Sequence, residues 1–155
     1  MVHWIGIEPA PPAPYSQLSN NQMILTVSNP VGPEEQNQGL DVLLVSSLLA
    51  MQPSGCHPRD TGLPMPTAQF DERVGFWIFY QQWLNRFRHL SQAEVDGIVS
   101  PVRETRARHC GDYAYAPGRP YFIALLNLEA KRHFPGRYAA LLAQLDIHDD
   151  GAMYF

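Results

Sequence analysis

The segment from Asp71 to Phe87 places the strongest restriction on how this chain folds. It has no proline, and apolar residues recur along it at helical spacing. Its members form one stripe and a second, aromatic set offset around the axis: Val74, Trp77, Ile78, Gln81 and Leu84, then Phe76, Tyr80, Trp83 and Phe87. Because the two sets cover more than half of the circumference, the pattern predicts a central helix buried on several sides, with Trp77, Phe76 and Tyr80 in the core.

Three further segments carry helical apolar periodicity. The first is Leu40–Met51, where five apolar residues form one stripe that starts at Leu40. The others are Pro120–Phe134, with proline suited to the first turn, and Arg137–Leu145. Helix-breaking sequence lies after the first segment, and Pro135-Gly136 separates the last two.

Residues 1–39 have a different character, because prolines at 9, 11, 12 and 14 favour extended chain. The β-prone run from Met23 to Val27 follows, and then a turn-forming stretch. We predict an extended arm with one strand or a small hairpin that lies on the helical body. Apolar residues such as Trp4 and Ile5 argue against disorder.

Together these patterns predict one domain of mainly α class: a small bundle of about four helices with an extended, β-containing N-terminal arm. Its parts are the arm (1–39), a helical core (40–105) and a C-terminal helical extension (106–155). The loop at 53–69 exceeds the usual connection length, which is typical of a functional or an irregularly packed segment.

Charge excludes several function classes. The 11 Lys and Arg residues are scattered and the net charge is -4, so the basic patch of a nucleic-acid binder is missing. No apolar run reaches the length of a membrane span. The N-terminus lacks the features of a signal peptide, which predicts a cytoplasmic product as synthesised and leaves signal-independent export open.

Two pairs of adjacent residues, Cys56-His57 and His109-Cys110, suggest metal or thiol chemistry. Four such ligands suit zinc, but neighbouring side chains diverge and structural zinc sites space their ligands by two to four residues. A Cys56–Cys110 disulfide is a second possibility. Without a signal peptide, two free thiols are favoured, and we predict no metal and no cofactor.

Enzyme hypotheses have little support from the sequence. Cys110 would be the nucleophile of a small hydrolase, with Asp112 as orienting group and one of three histidines as base: His57, His133 or His148. A muramidase needs two carboxylates across a cleft. Asp71 and Glu72 are better explained as acids that complement a helix N-terminus. We therefore assign no catalytic residue.

Residues from about Val31 to Thr105 carry three short motifs in order. They are the helix opening Gly39-Leu-Asp-Val-Leu-Leu, the helix Phe70-Asp-Glu-Arg-Val-Gly-Phe-Trp-Ile-Phe-Tyr-Gln-Gln, and Val95-Asp-Gly-Ile-Val-Ser-Pro followed by Thr105. In this order they resemble the peptidoglycan-binding-like domain that accompanies bacterial and phage cell-wall lytic proteins. The chain departs from that family's pattern at Gln81, where the family has Phe, and at Ser100, where it has Gly.

The resemblance implies a non-catalytic module that recognises cell-wall glycan or positions a lytic partner. The binding groove would lie between the first two helices and the segment from Asp96 to Thr105. The expected contact residues are Asp96, Ser100, Arg103, Tyr113 and Tyr115, since sugars stack on exposed aromatic faces. The alternative is a protein–protein interaction component, such as an adaptor, immunity or assembly protein of a secretion or phage apparatus, because low charge and many aromatic residues suit such an interface.

Overall fold

The computed structural model describes residues 2–6, 15–18, 23–53, 62–85, 95–102 and 122–146. Within these ranges the chain forms a two-stranded sheet and four helices, which confirms the mainly α class with a β-containing N-terminal arm. The elements are β1 (His3–Gly6), a 3-10 turn (Tyr15–Gln17), β2 (Met23–Thr26), α1 (Gly39–Ala50), α2 (Glu72–Asn85), α3 (Phe122–His133) and α4 (Pro135–Gln144).

The two strands pair antiparallel, with His3 opposite Thr26 and Gly6 opposite Met23. The predicted strand at Met23 is thus confirmed. The sheet is part of the core, since Trp4, Ile5 and Leu25 are each at most 1% exposed. The N-terminal arm is therefore part of the core, because its apolar side chains bury more surface between the helices than they would on the outside of the helical body.

The central helix is α3, and the prediction that gave this role to α2 is wrong. Every residue of α3 from Phe122 to Leu128 is buried. This burial has a structural cause, because β2, α1 and α4 all pack against α3. A helix that is apolar on all sides gains most by lying between other elements.

Asn127 is the polar residue at the centre of α3, and it is fully buried. Its Oδ1 accepts hydrogen bonds from the Leu25 backbone N–H at 2.9 Å and from the Tyr138 hydroxyl at 2.6 Å. Its Nδ2 donates to the Leu25 carbonyl at 2.9 Å and to the Ile123 carbonyl at 2.8 Å. The side-chain amide thereby takes the place of a third strand along β2, and it satisfies backbone groups that burial would otherwise leave unpaired.

Helix α1 begins close to the predicted residue, but Leu40 is 53% exposed and does not belong to its buried stripe. Asp41 is the buried residue of this first turn, and its carboxylate accepts hydrogen bonds from the backbone N–H groups of Ser28 and Asn29, both at 3.1 Å. These two hydrogen bonds hold the first turn of α1 with Asp41 toward the core and Leu40 toward solvent.

The last helix, α4, begins at Pro135, so the prediction of a break across Pro135-Gly136 is only half right. Pro135 occupies the first turn, where the missing N–H has no helical partner to lose. Tyr138, Leu141 and Leu142 form the buried face of α4, as the apolar stripe predicts. None of the helices in the described ranges combines the length and the apolar character that crossing a membrane requires.

Candidate functional site: an exposed aromatic face on helix α2

Asp71 fixes the start of α2. Its Oδ1 accepts hydrogen bonds from the backbone N–H groups of Arg73 at 3.0 Å and Val74 at 3.1 Å, as a helix-capping acid does. The hydrogen bond from Val74 is the main cause that lowers the pKa of Asp71 below 3.8, and the nearby Arg73 guanidinium lowers it further. This confirms that Asp71 complements the helix N-terminus.

One side of α2 faces the core and packs on α1. Its buried residues are Val74, Trp77, Ile78, Gln81 and Gln82. Trp77 is in the core as predicted, at 4% exposure. Gln81 belongs to the predicted stripe, whereas Gln82 is an unexpected member, because amide side chains are mostly found on protein surfaces.

The opposite side of α2 is aromatic and open to solvent. Phe76 is 47% exposed, Phe79 45% and Trp83 44%, while Tyr80 is partly buried. The prediction that placed Phe76 and Tyr80 in the core is therefore wrong, since α3 occupies the centre of the molecule. We call Phe76, Phe79, Tyr80 and Trp83 the aromatic face.

Three rings of this face, Phe76, Tyr80 and Trp83, lie nearly parallel to one another. Phe76 and Tyr80 have ring centroids 6.4 Å apart and planes inclined by 14°. Tyr80 and Trp83 have the same separation and an inclination of 22°. These distances belong to the offset arrangement that aromatic pairs prefer. The three rings consequently form a pre-ordered row that loses little side-chain freedom when a ligand covers it.

The area of the aromatic face is comparable to that of the largest apolar patch on a typical monomer. A Phe or Trp side chain presents about 150–250 Å². The exposed fractions of the two phenylalanines and the tryptophan thus leave on the order of 300 Å² of aromatic surface. A contiguous apolar patch of roughly 300–600 Å² is as large as typical monomers show, and such patches are often functional.

A turn formed by residues 32–37 lies beside this face. A Cβ atom at Gly75 would be 3.9 Å from Cγ of Pro33, which places the turn against the side of α2 that carries Gly75 and Phe79. Asn37 holds the turn together: its Oδ1 accepts from the Gly32 N–H at 2.8 Å, and its Nδ2 donates to the carbonyls of Gly32 and Glu35.

The segment 95–102, which contains two of the predicted contact residues, is joined to α2 by Gln82. Gln82 Nε2 donates to Asp96 Oδ1 at 3.3 Å and to the Ile98 carbonyl at 3.0 Å, and its Oε1 accepts from the Gly97 N–H at 2.8 Å. The Asp96 carboxylate also accepts from the Ile98 N–H at 3.0 Å. Asp96 thus has a structural role at the place where the groove was expected.

The same segment is joined to the arm. Val31 and Val99 exchange two backbone hydrogen bonds, and the Val102 N–H donates to Thr26 Oγ1 at 2.9 Å. Ser100 is exposed between these anchors. The other predicted contacts, Arg103, Tyr113 and Tyr115, lie outside the described residues, so glycan contact by this set stays a prediction.

The thiol and zinc hypotheses concern Cys56, His57, His109 and Cys110, which also lie outside the described residues. Of the histidines considered as bases, His133 lies at the end of α3, and its Nε2 is 3.0 Å from Glu129 Oε2. Glu129 also accepts a hydrogen bond from the Tyr15 hydroxyl. The hydrogen bond between Tyr15 and Glu129 attaches the 3-10 turn to α3. No three potential metal ligands come together in the parts of the chain that the structure describes.

A cavity of about 170 Å³ lies between α1, Pro66 and α4, with Ser47 and Met51 on one wall and Arg137 and Gln144 on the other. Arg137 donates to the Ala50 carbonyl at 3.4 Å and lies over the ring of Phe134. The last turns of α1 and α4 both border the cavity, and their negative ends oppose the positive charge that Arg137 brings to it. The cavity is therefore a weaker candidate site than the aromatic face.

Comparison of the chain with protein-family models, with curated proteins and with solved structures finds no match. The resemblance to peptidoglycan-binding-like domains accordingly stays a prediction.

Proposed function

We propose that this chain is a non-catalytic protein-binding component that docks its partner on the aromatic face of α2. The observation that carries the proposal is the position of these rings on the side of the helix opposite the core. Burial of such surface supplies most of the affinity in many interfaces, where tryptophan and tyrosine dominate the central contacts. The face provides about a third of the roughly 800 Å² that one partner contributes to a standard interface.

Chemistry favours a protein over a glycan as the ligand. Sugar hydroxyls need hydrogen-bonding partners beside the stacking ring, and buried polar groups without them cost free energy. On this face Phe76 and Phe79 offer none, and the polar groups that the face does have belong to Tyr80, to Trp83 and to acidic residues along one edge. An apolar side chain of a protein partner needs no such groups, so all four aromatic residues contribute to its binding.

Photo-crosslinking in cells that make the protein tests the proposal. A benzophenone-bearing residue at position 79 should give one adduct of defined mass. The same group at Leu63, which is 67% exposed on another segment, is the matched control and should not give that adduct.

The captured protein is then purified and titrated. We expect Phe79→Ala and Trp83→Ala to weaken binding at least about tenfold, and Leu63→Ala to have little effect. Equal crosslinking at the two positions, or full affinity in both aromatic variants, would show that the face is not the docking surface.

Cell-wall glycan recognition is the second candidate, and the near-parallel row of Phe76, Tyr80 and Trp83 favours it because sugar faces stack on such rings. Sedimentation with purified peptidoglycan sacculi separates the two candidates. Retention that disappears in Tyr80→Ala or in Tyr113→Ala would support the glycan module. Under the protein-binding proposal the chain stays in the supernatant.

A further inference from the structure

Three carboxylates border the aromatic face near the start of α2. Glu72 and Phe79 lie three residues before and four residues after Gly75, which puts them on the same side of the helix as the Pro33 contact. Glu34 and Glu35 directly follow Pro33, and Glu34 and Glu72 are exposed. We call Glu34, Glu35 and Glu72 the acidic rim.

Basic residues are scarce around this rim. The sequence from Met23 to Pro53 contains no Lys or Arg, and neither does Gly62 to Phe70. Within α2 the one basic residue is Arg73, and its guanidinium is 3.3 Å from the Asp71 carboxylate. The segments that carry the face and the rim, Met23–Pro53 and Gly62–Asn85, therefore hold five acidic residues and one basic residue, so their net charge is negative.

The turn that holds Glu34 and Glu35 is ordered before any partner arrives. Glu35 N–H donates to the Gly32 carbonyl at 3.2 Å, and the three hydrogen bonds of Asn37 close the turn. A turn whose backbone is already ordered loses less entropy on binding than a mobile loop does, which increases the contribution of a complementary partner.

From this combination we infer that the partner is a basic amphipathic segment, with apolar anchors that cover the aromatic face and Lys or Arg side chains that meet the acidic rim. The inference rests on the proposed docking function and names the chemistry of its partner. An amphipathic helix places anchors at i, i+3, i+4 and i+7 and charges beside them, which fits a linear row of rings with carboxylates along one edge.

A second copy of this chain fits the surface less well. It would bring the same acidic rim, and each copy carries a net charge of -4. Like charges across an interface reduce affinity and slow association. A basic partner has the opposite effect.

Two labelled synthetic peptides of about 18 residues test the inference, both with the same leucine stripe at helical spacing. One carries Lys beside the stripe and the other Glu. Fluorescence anisotropy with the full chain gives their affinities. We expect the Lys peptide to bind at least about tenfold more tightly at about 50 mM salt, and the preference to shrink at about 500 mM as screening increases.

Substitutions in the acidic rim test whether the rim causes the tighter binding of the Lys peptide. The triple variant Glu34→Gln, Glu35→Gln, Glu72→Gln should bring the two affinities to within about twofold of each other. Asp146→Asn, an exposed acid after α4, is the matched control and should keep the full preference. Phe79→Ala should weaken both peptides.

The outcomes separate this inference from the proposed function. Equal binding of both peptides, with loss in Phe79→Ala, overturns the basic partner and leaves aromatic docking intact. A preference that survives the triple variant, or no binding of either peptide, also overturns the inference. Docking itself is then decided by the crosslinking at position 79.

Discussion

Replacement of Asn127 by alanine should be among the most destabilising single changes in this protein. The substitution removes the amide that joins α3 to the edge of β2. Three buried groups would then lose a hydrogen-bonding partner: the N–H and carbonyl of Leu25 and the hydroxyl of Tyr138. Leu25 is fully buried and Tyr138 is 5% exposed, so water does not replace the amide without opening the core.

The magnitude follows from the number of groups left unpaired. Each buried donor or acceptor without a partner costs about 1–3 kcal/mol, which for three such groups gives a loss of about 3–9 kcal/mol for Asn127→Ala. Typical domains have about 5–15 kcal/mol of unfolding free energy in total. Tyr138→Phe removes one of the hydrogen bonds and leaves both Leu25 bonds in place, so it should cost about 1 kcal/mol.

Urea denaturation followed by circular dichroism measures both losses, with Gln144→Ala on the exposed side of α4 as the control. Asn127→Asp should be at least as damaging as Asn127→Ala at neutral pH, because a carboxylate oxygen would face the carbonyls of Leu25 and Ile123. A loss below about 1 kcal/mol for Asn127→Ala would refute the argument, since the Leu25 groups would then have other partners.

Three further substitutions test other contacts that hold the fold together. Gly32→Ala should cost about 1–3 kcal/mol of unfolding free energy, because its Cβ would lie 2.9 Å from the Gly97 carbonyl oxygen. Gly136→Ala has open space around it and should stabilise the protein. Thermal melts compare the two variants, and equal effects on stability would contradict the expected clash at Gly32. Gln82→Leu should accelerate amide hydrogen exchange at Gly97, where exchange as slow as in the wild type would show that the side chain does not hold the segment. Asp71→Ala should cost about 0.5–2 kcal/mol at pH 7. Because folding lowers the pKa of Asp71, this contribution to stability is complete above pH 3.8 and disappears as the pH falls through the lower pKa of the folded state. If wild type and variant differ in unfolding free energy by the same amount in acid as at pH 7, the cap does not depend on the charge of Asp71.

Most of the helical architecture follows from the sequence, because apolar periodicity and breakers act locally. The stripe of Tyr138, Leu141 and Leu142 and the capping role of Asp71 were predicted from neighbours a few residues away. The helix ends depended on single bonds. Pro135 starts α4 because Tyr138 N–H donates to the Phe134 carbonyl at 2.9 Å.

The orientation of α2 was not predictable in the same way. Its apolar stripe and its offset aromatic set have the same helical spacing, and the buried side also includes Gln82, which the predicted stripe does not contain. The burial of Gln82 depends on Gly97 and Ile98, which are 15 and 16 residues away in sequence. Periodicity carries no information about such a distant partner, so it identifies the buried stripe of α2 but does not show that Phe76 and Tyr80 lie outside the core.

The pairing of Leu25 with Asn127 also bears on how the chain folds during synthesis. The two residues are 102 positions apart, so β2 leaves the ribosome long before the amide that completes its edge. Until α3 follows, Trp4, Ile5 and Leu25 form an apolar two-stranded ribbon, a unit that is marginally stable at best in water. We therefore expect folding to be completed only after the C-terminal helices are made. During most of translation the edge of β2 that Asn127 will cover is exposed, and such an edge is prone to aggregation.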